Sequence, residues 1–297
     1  MYIATNFKSS QDKYILGIES VCYKPEHIAN VLAAIRENFN GYFERFIEKR
    51  GRNFIDKAIA DFEKDRVDYE NFFNVEALEE YEDSPAIFKS QVLKNKCPII
   101  RKTLASRKVK DLDKYRANFK AADANLLLKI VTNLCKFANE YRANYNPAIY
   151  SNTKSYADLK FEKLDTEDYT AYGVIGGGIK SHLLYKTCPE IFPNRSRDSI
   201  WALRYLSGCK DFGCTEDSEF LMIDTKNTVT YQNYFYPYAL FSYYAFEIYK
   251  MLSEKIALNP NYRYVAVDTF LEYVASEHAQ EISIMQNQLT DGGMSFA

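Results

Sequence analysis

The chain has 297 residues, enough for one large domain or two modest ones with cores of their own. Its 47% hydrophobic and 26% charged residues are ordinary for a globular protein, and a net charge of −2 excludes a uniformly basic nucleic-acid binder while leaving room for a local basic patch. No apolar run approaches membrane-spanning length, no secretory leader pattern opens the chain, and its six cysteines form no C-x-x-C pair, so a reduced, cytoplasmic protein without membrane contact is expected.

Residues 14–21 read as a short strand or an irregular lead-in. Pro25 then opens a helix, with Ile28, Val31, Leu32, Ile35, Phe39 and Phe46 recurring three or four apart. Gly51 interrupts it, and Phe54, Ile55, Ala58, Ile59 and Phe62 carry the same period into a second helix. Charge then separates along the chain. Residues 61–83 hold ten acidic side chains against Lys64 and Arg66, and residues 89–120 hold eleven basic ones against Asp111 and Asp113. Like charges crowded on helices repel. The basic block is therefore either a solvated face neutralised by the acidic block or a strip that faces phosphates. Residues 121–142 form one strong helix, with Leu126, Leu127, Ile130, Val131, Leu134, Phe137 and Ala138 turned inward. The segment 144–156, which carries Pro147, is the best linker. It divides an N-terminal helical domain, 1–146, from a C-terminal one, 157–285, with a flexible tail at 286–297.

The stretch 172–213 holds six of the eleven glycines and the only tryptophan, Trp201. Gly176, Gly177 and Gly178 make a tight turn that opens a helix, and the free N–H groups of such a start attract phosphate. Lys180, Ser181 and His182 follow directly. A second turn at 192–196 places Arg195 and Arg197 close together, and Asn194 or Ser196 caps a helix that Gly208 stops. The candidate phosphate-binding set is Gly176, Gly177, Gly178, Lys180, Ser181 and His182, joined by Arg195 and Arg197. About a dozen residues here resemble a helix-hairpin-helix element. That resemblance implies that the glycine amides hold a nucleic-acid backbone, although His182 stands where such hairpins carry a small residue. The spacing is not that of a nucleotide P-loop. The competing reading is a tight turn whose glycines only let two helices approach.

Residues 220–231 read as a hairpin: an apolar run, Asp224-Thr225-Lys226, then a β-prone segment. The apolar strand followed by Asp-x-Lys resembles the metal-binding strand of restriction-endonuclease-like nucleases. The resemblance implies Mg²⁺ held by Asp217, Glu219 and Asp224, with Lys226 completing a catalytic set. A nucleophilic hydrolase is disfavoured, since there is no G-x-S-x-G elbow and the chain has three histidines. Two helices close the chain, 235–252, crowded with aromatic residues, and 265–284. Aromatic residues at helical spacing are core before they are a platform for unpaired bases. Trp201 is expected to be buried between the central turn and the 235–252 helix.

The expected fold is mainly α and multi-helical, with a small β-hairpin insertion in the C-terminal half and two helical subdomains meeting at 172–213. The expected function is binding of the phosphate backbone of nucleic acid, with room for metal-dependent cleavage, in a bacterial defence or mobile-element setting. The alternative is a non-catalytic helical protein that docks a protein partner.

Overall fold

A computed structural model describes residues 22–106, 111–210 and 237–284, and every regular element among them is helical. The only pairing of β type among the described residues is an isolated bridge between Ala171 and Ile175. The mainly α class therefore stands. The expected hairpin at 220–231, the lead-in at 14–21 and the tail at 286–297 lie outside the described residues.

The principal helices are α1 (Pro25–Arg50), α2 (Phe54–Glu63), α3 (Arg66–Glu70), α4 (Pro98–Ala105), α5 (Asp111–Ala121), α6 (Ala124–Ala143), α7 (Gly177–Thr187), α8 (Arg197–Leu206), α9 (Tyr238–Lys255) and α10 (Arg263–Glu277). Pro25 sits in the first turn of α1, where its missing N–H costs nothing, and Gly51 ends the helix at φ 77°. A nine-residue π-helix, Phe88–Lys96, precedes α4. Helix α6 starts later than the expected 121 because the Asp123 side chain caps it, accepting from Leu126 N–H at 2.9 Å. That start sets the phase of the helix. Leu126, expected inward, is 45% exposed, and Leu127, Leu128, Ile130, Val131 and Leu134 take the core face.

Helix α10 is the centre of the packing. It lies chiefly against α8, and also against α9, α2 and α1. Tyr264, Val265, Val267, Phe270, Leu271 and Val274 are all buried, so the helix is apolar nearly all round, as an interior helix must be. Two charges are nonetheless buried on it, Arg263 and Asp268. The Arg263 guanidinium lies over the rings of Tyr150, at 4.5 Å, and Tyr249, at 4.9 Å, and donates to the Glu190 carbonyl at 2.6 Å. Ring faces and one carbonyl hold this core cation in place. Asp268 faces the cleft described below.

The expected linker is anchored. Asn146 caps the turn Pro147–Ser151, and the buried Tyr150 hydroxyl donates to the Ile191 carbonyl at 2.8 Å and lies 2.6 Å from the Tyr264 hydroxyl. Buried apolar residues on both sides of 144–156 belong to one hydrophobic cluster.

Trp201 is 2% exposed, as expected, and stacks on Tyr205. Helix α8 packs chiefly on α10 and α1. Helix α9 directs aromatic residues elsewhere: Phe246 meets Tyr150 edge-on, Tyr238 stacks on Phe161, and the Tyr243 hydroxyl donates to the Lys154 carbonyl. Those rings are core and loop anchors. Among the described residues the cysteines are free thiols, four of them buried, and no helix is long and apolar enough to cross a membrane.

Candidate functional site

The glycine turn opens a helix, as its sequence indicates: Gly176 is the extended N-cap residue and Gly177 begins α7. The side chains expected to meet phosphate point elsewhere. Lys180 is 3% exposed, and its ammonium donates to the Leu164 carbonyl and to Thr170 Oγ1. Nearby, the half-buried Asp165 carboxylate accepts from the N–H groups of Tyr238 and Ala239 at 2.8 and 3.3 Å, capping the start of α9. Burial draws the Lys180 pKa down to about 8 and pushes that of Asp165 up. Arg195 is 3% exposed, and its backbone N–H donates to Ser181 Oγ at 3.0 Å. A Cβ on Gly178 would stand 3.7 Å from the Arg195 carbonyl, an ordinary contact. The expectation of a phosphate-facing loop is corrected on this point. Lys180, Ser181 and Arg195 join the start of α7 to the loop before α8, because a charged side chain inside a core must find its partners there. Of the loop's two arginines, Arg197 is the exposed one.

One turn further along α7 the chain does build a site. His182, Tyr185 and Lys186, spaced to share one helix face, line a cleft of about 640 Å³ with residues of α2, α3, α4 and α10. At its floor a chain of hydrogen bonds runs from α4 to α10. The Ile99 N–H donates to the Tyr69 hydroxyl at 3.0 Å, and that hydroxyl lies 3.1 Å from His182 Nε2. His182 Nδ1 lies 3.4 Å from Asn194 Oδ1, and Asn194 Nδ2 is 3.2 Å from both carboxylate oxygens of Asp268. Since Tyr69 accepts from the backbone, its proton points to Nε2. The imidazole is then neutral, with its proton on Nδ1 aimed at the amide oxygen, and the Asn194 NH₂ is left for Asp268. Burial, reinforced by Lys186, lowers the His182 pKa to about 4 and keeps the ring uncharged. Burial and the neighbouring Glu272 raise that of Asp268. The buried Tyr185 lines the cleft with Asp268.

Beside this chain, Lys186 is 6% exposed. Its ammonium lies 2.6 Å from Asp65 Oδ1, donates to the Phe62 carbonyl at 2.8 Å and sits 4.3 Å over the Phe62 ring. Burial opposes ionisation of Asp65, yet Lys186 holds its carboxyl below the usual range. The mouth of the cleft carries four exposed cations, Lys49, Arg50, Lys57 and Lys102, against two exposed carboxylates, Asp61 and Glu272. Lys102, from the basic block, reaches Asp65, from the acidic block, at 3.6 Å.

Of the expected phosphate set, then, His182 lines the cleft. Asn194, read in the sequence only as a cap, is a central member of its floor. Asp268, Tyr185, Lys186 and Tyr69 were missed. The signal for Asp268 was present: a lone carboxylate inside the apolar run 264–271. Asp217, Glu219, Asp224 and Lys226 lie outside the described residues, and among the described residues no three His, Cys, Asp or Glu side chains gather as a metal ion would require. Both nitrogens of His182 are engaged, one by Tyr69 and one by Asn194. The chain matches no protein-family model, and no curated protein or solved structure matches it significantly.

Proposed function

We propose that the protein binds the phosphate groups of nucleic acid at the mouth of this cleft. The observation that carries the reading is the ring of Lys49, Arg50, Lys57 and Lys102, exposed cations that outnumber the two exposed carboxylates beside them. The basic block extends the same field: Lys94, Lys96 and Arg101 are exposed on the π-helix and α4, beside Lys102. Such a patch attracts a polyanion even where the whole chain is slightly acidic. The reading keeps the ligand class expected from the sequence and moves its seat from the glycine turn to the cleft.

Fluorescence anisotropy with labelled single-stranded and duplex DNA and RNA tests it. Affinity should fall steeply between about 50 and 200 mM salt as displaced counterions lose their entropic advantage. Lys57→Glu and Lys102→Glu should each weaken binding; Lys57→Glu should do so without changing the melting temperature, since that side chain is exposed, while Lys102→Glu also gives up the pairing with Asp65. Absence of binding to all four probes at low salt would remove the reading.

A further inference from the structure

We infer that the floor of the cleft receives a nucleobase presenting adjacent N–H donors, as the Watson–Crick edge of guanine does. The inference deepens the phosphate-binding reading and rests on it for the outer end of the ligand.

The polarity of the cleft decides which ligand fits. The donors on its floor are spent on one another. Tyr69 gives its proton to His182, His182 to Asn194, and Asn194 to Asp268. Lys186 serves the Phe62 carbonyl and Asp65. What remains for a ligand is the Asp268 carboxyl beside Glu272, whose raised pKa incoming N–H donors would bring back down by favouring the ionised, accepting form. A carboxylate has about four lone-pair sites, more than Asn194 consumes at Asp268. Glu272, one turn further along α10, adds an exposed carboxylate on the same face. A ligand must therefore bring N–H donors to the deep end and negative charge to the cationic mouth.

A cationic ligand meets four exposed lysine and arginine side chains on the way in, and a simple anion meets Asp268 at the bottom. A nucleotide satisfies both ends. Among the bases, guanine offers N1–H and the N2 amino group side by side. Adenine and cytosine place a ring-nitrogen lone pair beside their amino group, and uracil flanks its one N–H with two carbonyl oxygens. Each of these would set an acceptor against a carboxylate, a repulsion that is costly in a partly desolvated site. The apolar side chains of Phe54, Ile99 and Val265 line the same cleft, and its volume of about 640 Å³ lies within the range of small-molecule sites.

Isothermal titration of the full chain at low salt, with GMP, AMP, CMP, UMP, ribose 5-phosphate and guanosine, tests the inference. GMP should bind at least tenfold tighter than the other three nucleotides. Asp268→Asn, which keeps the shape of the side chain, should abolish that preference and leave ribose 5-phosphate binding unchanged. Should the variant fold poorly, the nucleotide series on the native protein still decides. Glu272→Gln, at an exposed position, then supplies the variant and should narrow the GMP preference. Equal affinity for all four nucleotides and ribose 5-phosphate would overturn the inference and leave the phosphate reading standing. Binding of guanosine without ribose 5-phosphate would sustain the base site and overturn the phosphate reading. No binding by any probe would overturn both.

Discussion

Asn194 and Asp268 lie 74 residues apart in sequence, and the Asn194 amide nitrogen stands 3.2 Å from both oxygens of the Asp268 carboxylate. The contact fixes the loop before α8 to the central helix and orients the amide so that its oxygen faces His182. Its polarity is testable. Asn194→Asp sets a second carboxylate against the first, and protonation relieves the clash. The variant should therefore lose more stability near pH 8 than near pH 5, by roughly 1–3 kcal/mol. Urea denaturation at the two pH values checks this, and an equal loss at both would show that the amide proton does not serve Asp268.

His182 gives the site a pH dependence with a definite sign. Its pKa falls from 6.5 to about 4 on folding, so between those values the unfolded chain binds the proton and the folded one does not. The contribution of the neutral ring is complete above about pH 7 and is lost as pH falls toward 4, up to about 3 kcal/mol in all. His182→Gln should flatten the stability profile in that window. Calorimetric melting from about pH 4 to pH 8 measures it, and an unchanged slope in the variant would assign the acid sensitivity to other groups.

Lys180 now carries a structural expectation. Lys180→Ala removes the donor to the Leu164 carbonyl and the cation beside Asp165, leaving a buried acceptor and a half-buried carboxyl with less support. The cost should be about 2 kcal/mol or more. Nucleic-acid affinity, measured under conditions where the variant is folded, should stay within about twofold of the native value, since Lys180 contributes no charge to the mouth of the cleft. A stable variant with lost affinity would return the phosphate site to the glycine turn.

The fold was largely legible because helical periodicity is a local signal. Pro25 and Gly51 bracket α1, Ser196 caps α8, and the expected core residues Val31, Ile35, Leu127 and Trp201 are buried. The site was less legible for the same reason. Whether Lys180 faces water or core depends on the Leu164 carbonyl and Thr170, contacts that no spacing rule reports. Glycine and lysine after an apolar lead-in read as an anion site, but α7 is enclosed on nearly every side, and its cations were recruited inward. Asn194 and His182 were both noticed, as a cap and as an odd residue in a hairpin. Their shared purpose needed Tyr69 and Asp268, which arrive from distant helices.

The segment 144–156 supplies the last expectation, that 1–146 and 157–285 unfold as one. Tyr150, in the middle of that segment, is buried and bonds both Ile191 and Tyr264, while Arg36 of α1 pairs with Glu247 of α9 at 2.8 Å. Apolar residues of α1, α6, α8 and α10 share one cluster, so neither half can expose its face without stripping the other. Far-UV ellipticity reports every helix, and the single tryptophan, Trp201, reports the C-terminal half alone. In a urea titration the two signals should change with one midpoint and one slope. Tyr150→Phe should lower that midpoint for both probes together, by a free energy of about 1–3 kcal/mol, because the Ile191 carbonyl and the Tyr264 hydroxyl lose a buried partner. Two ellipticity transitions, with Trp201 emission following only one of them, would instead establish two independently folding domains and restore 144–156 as a linker.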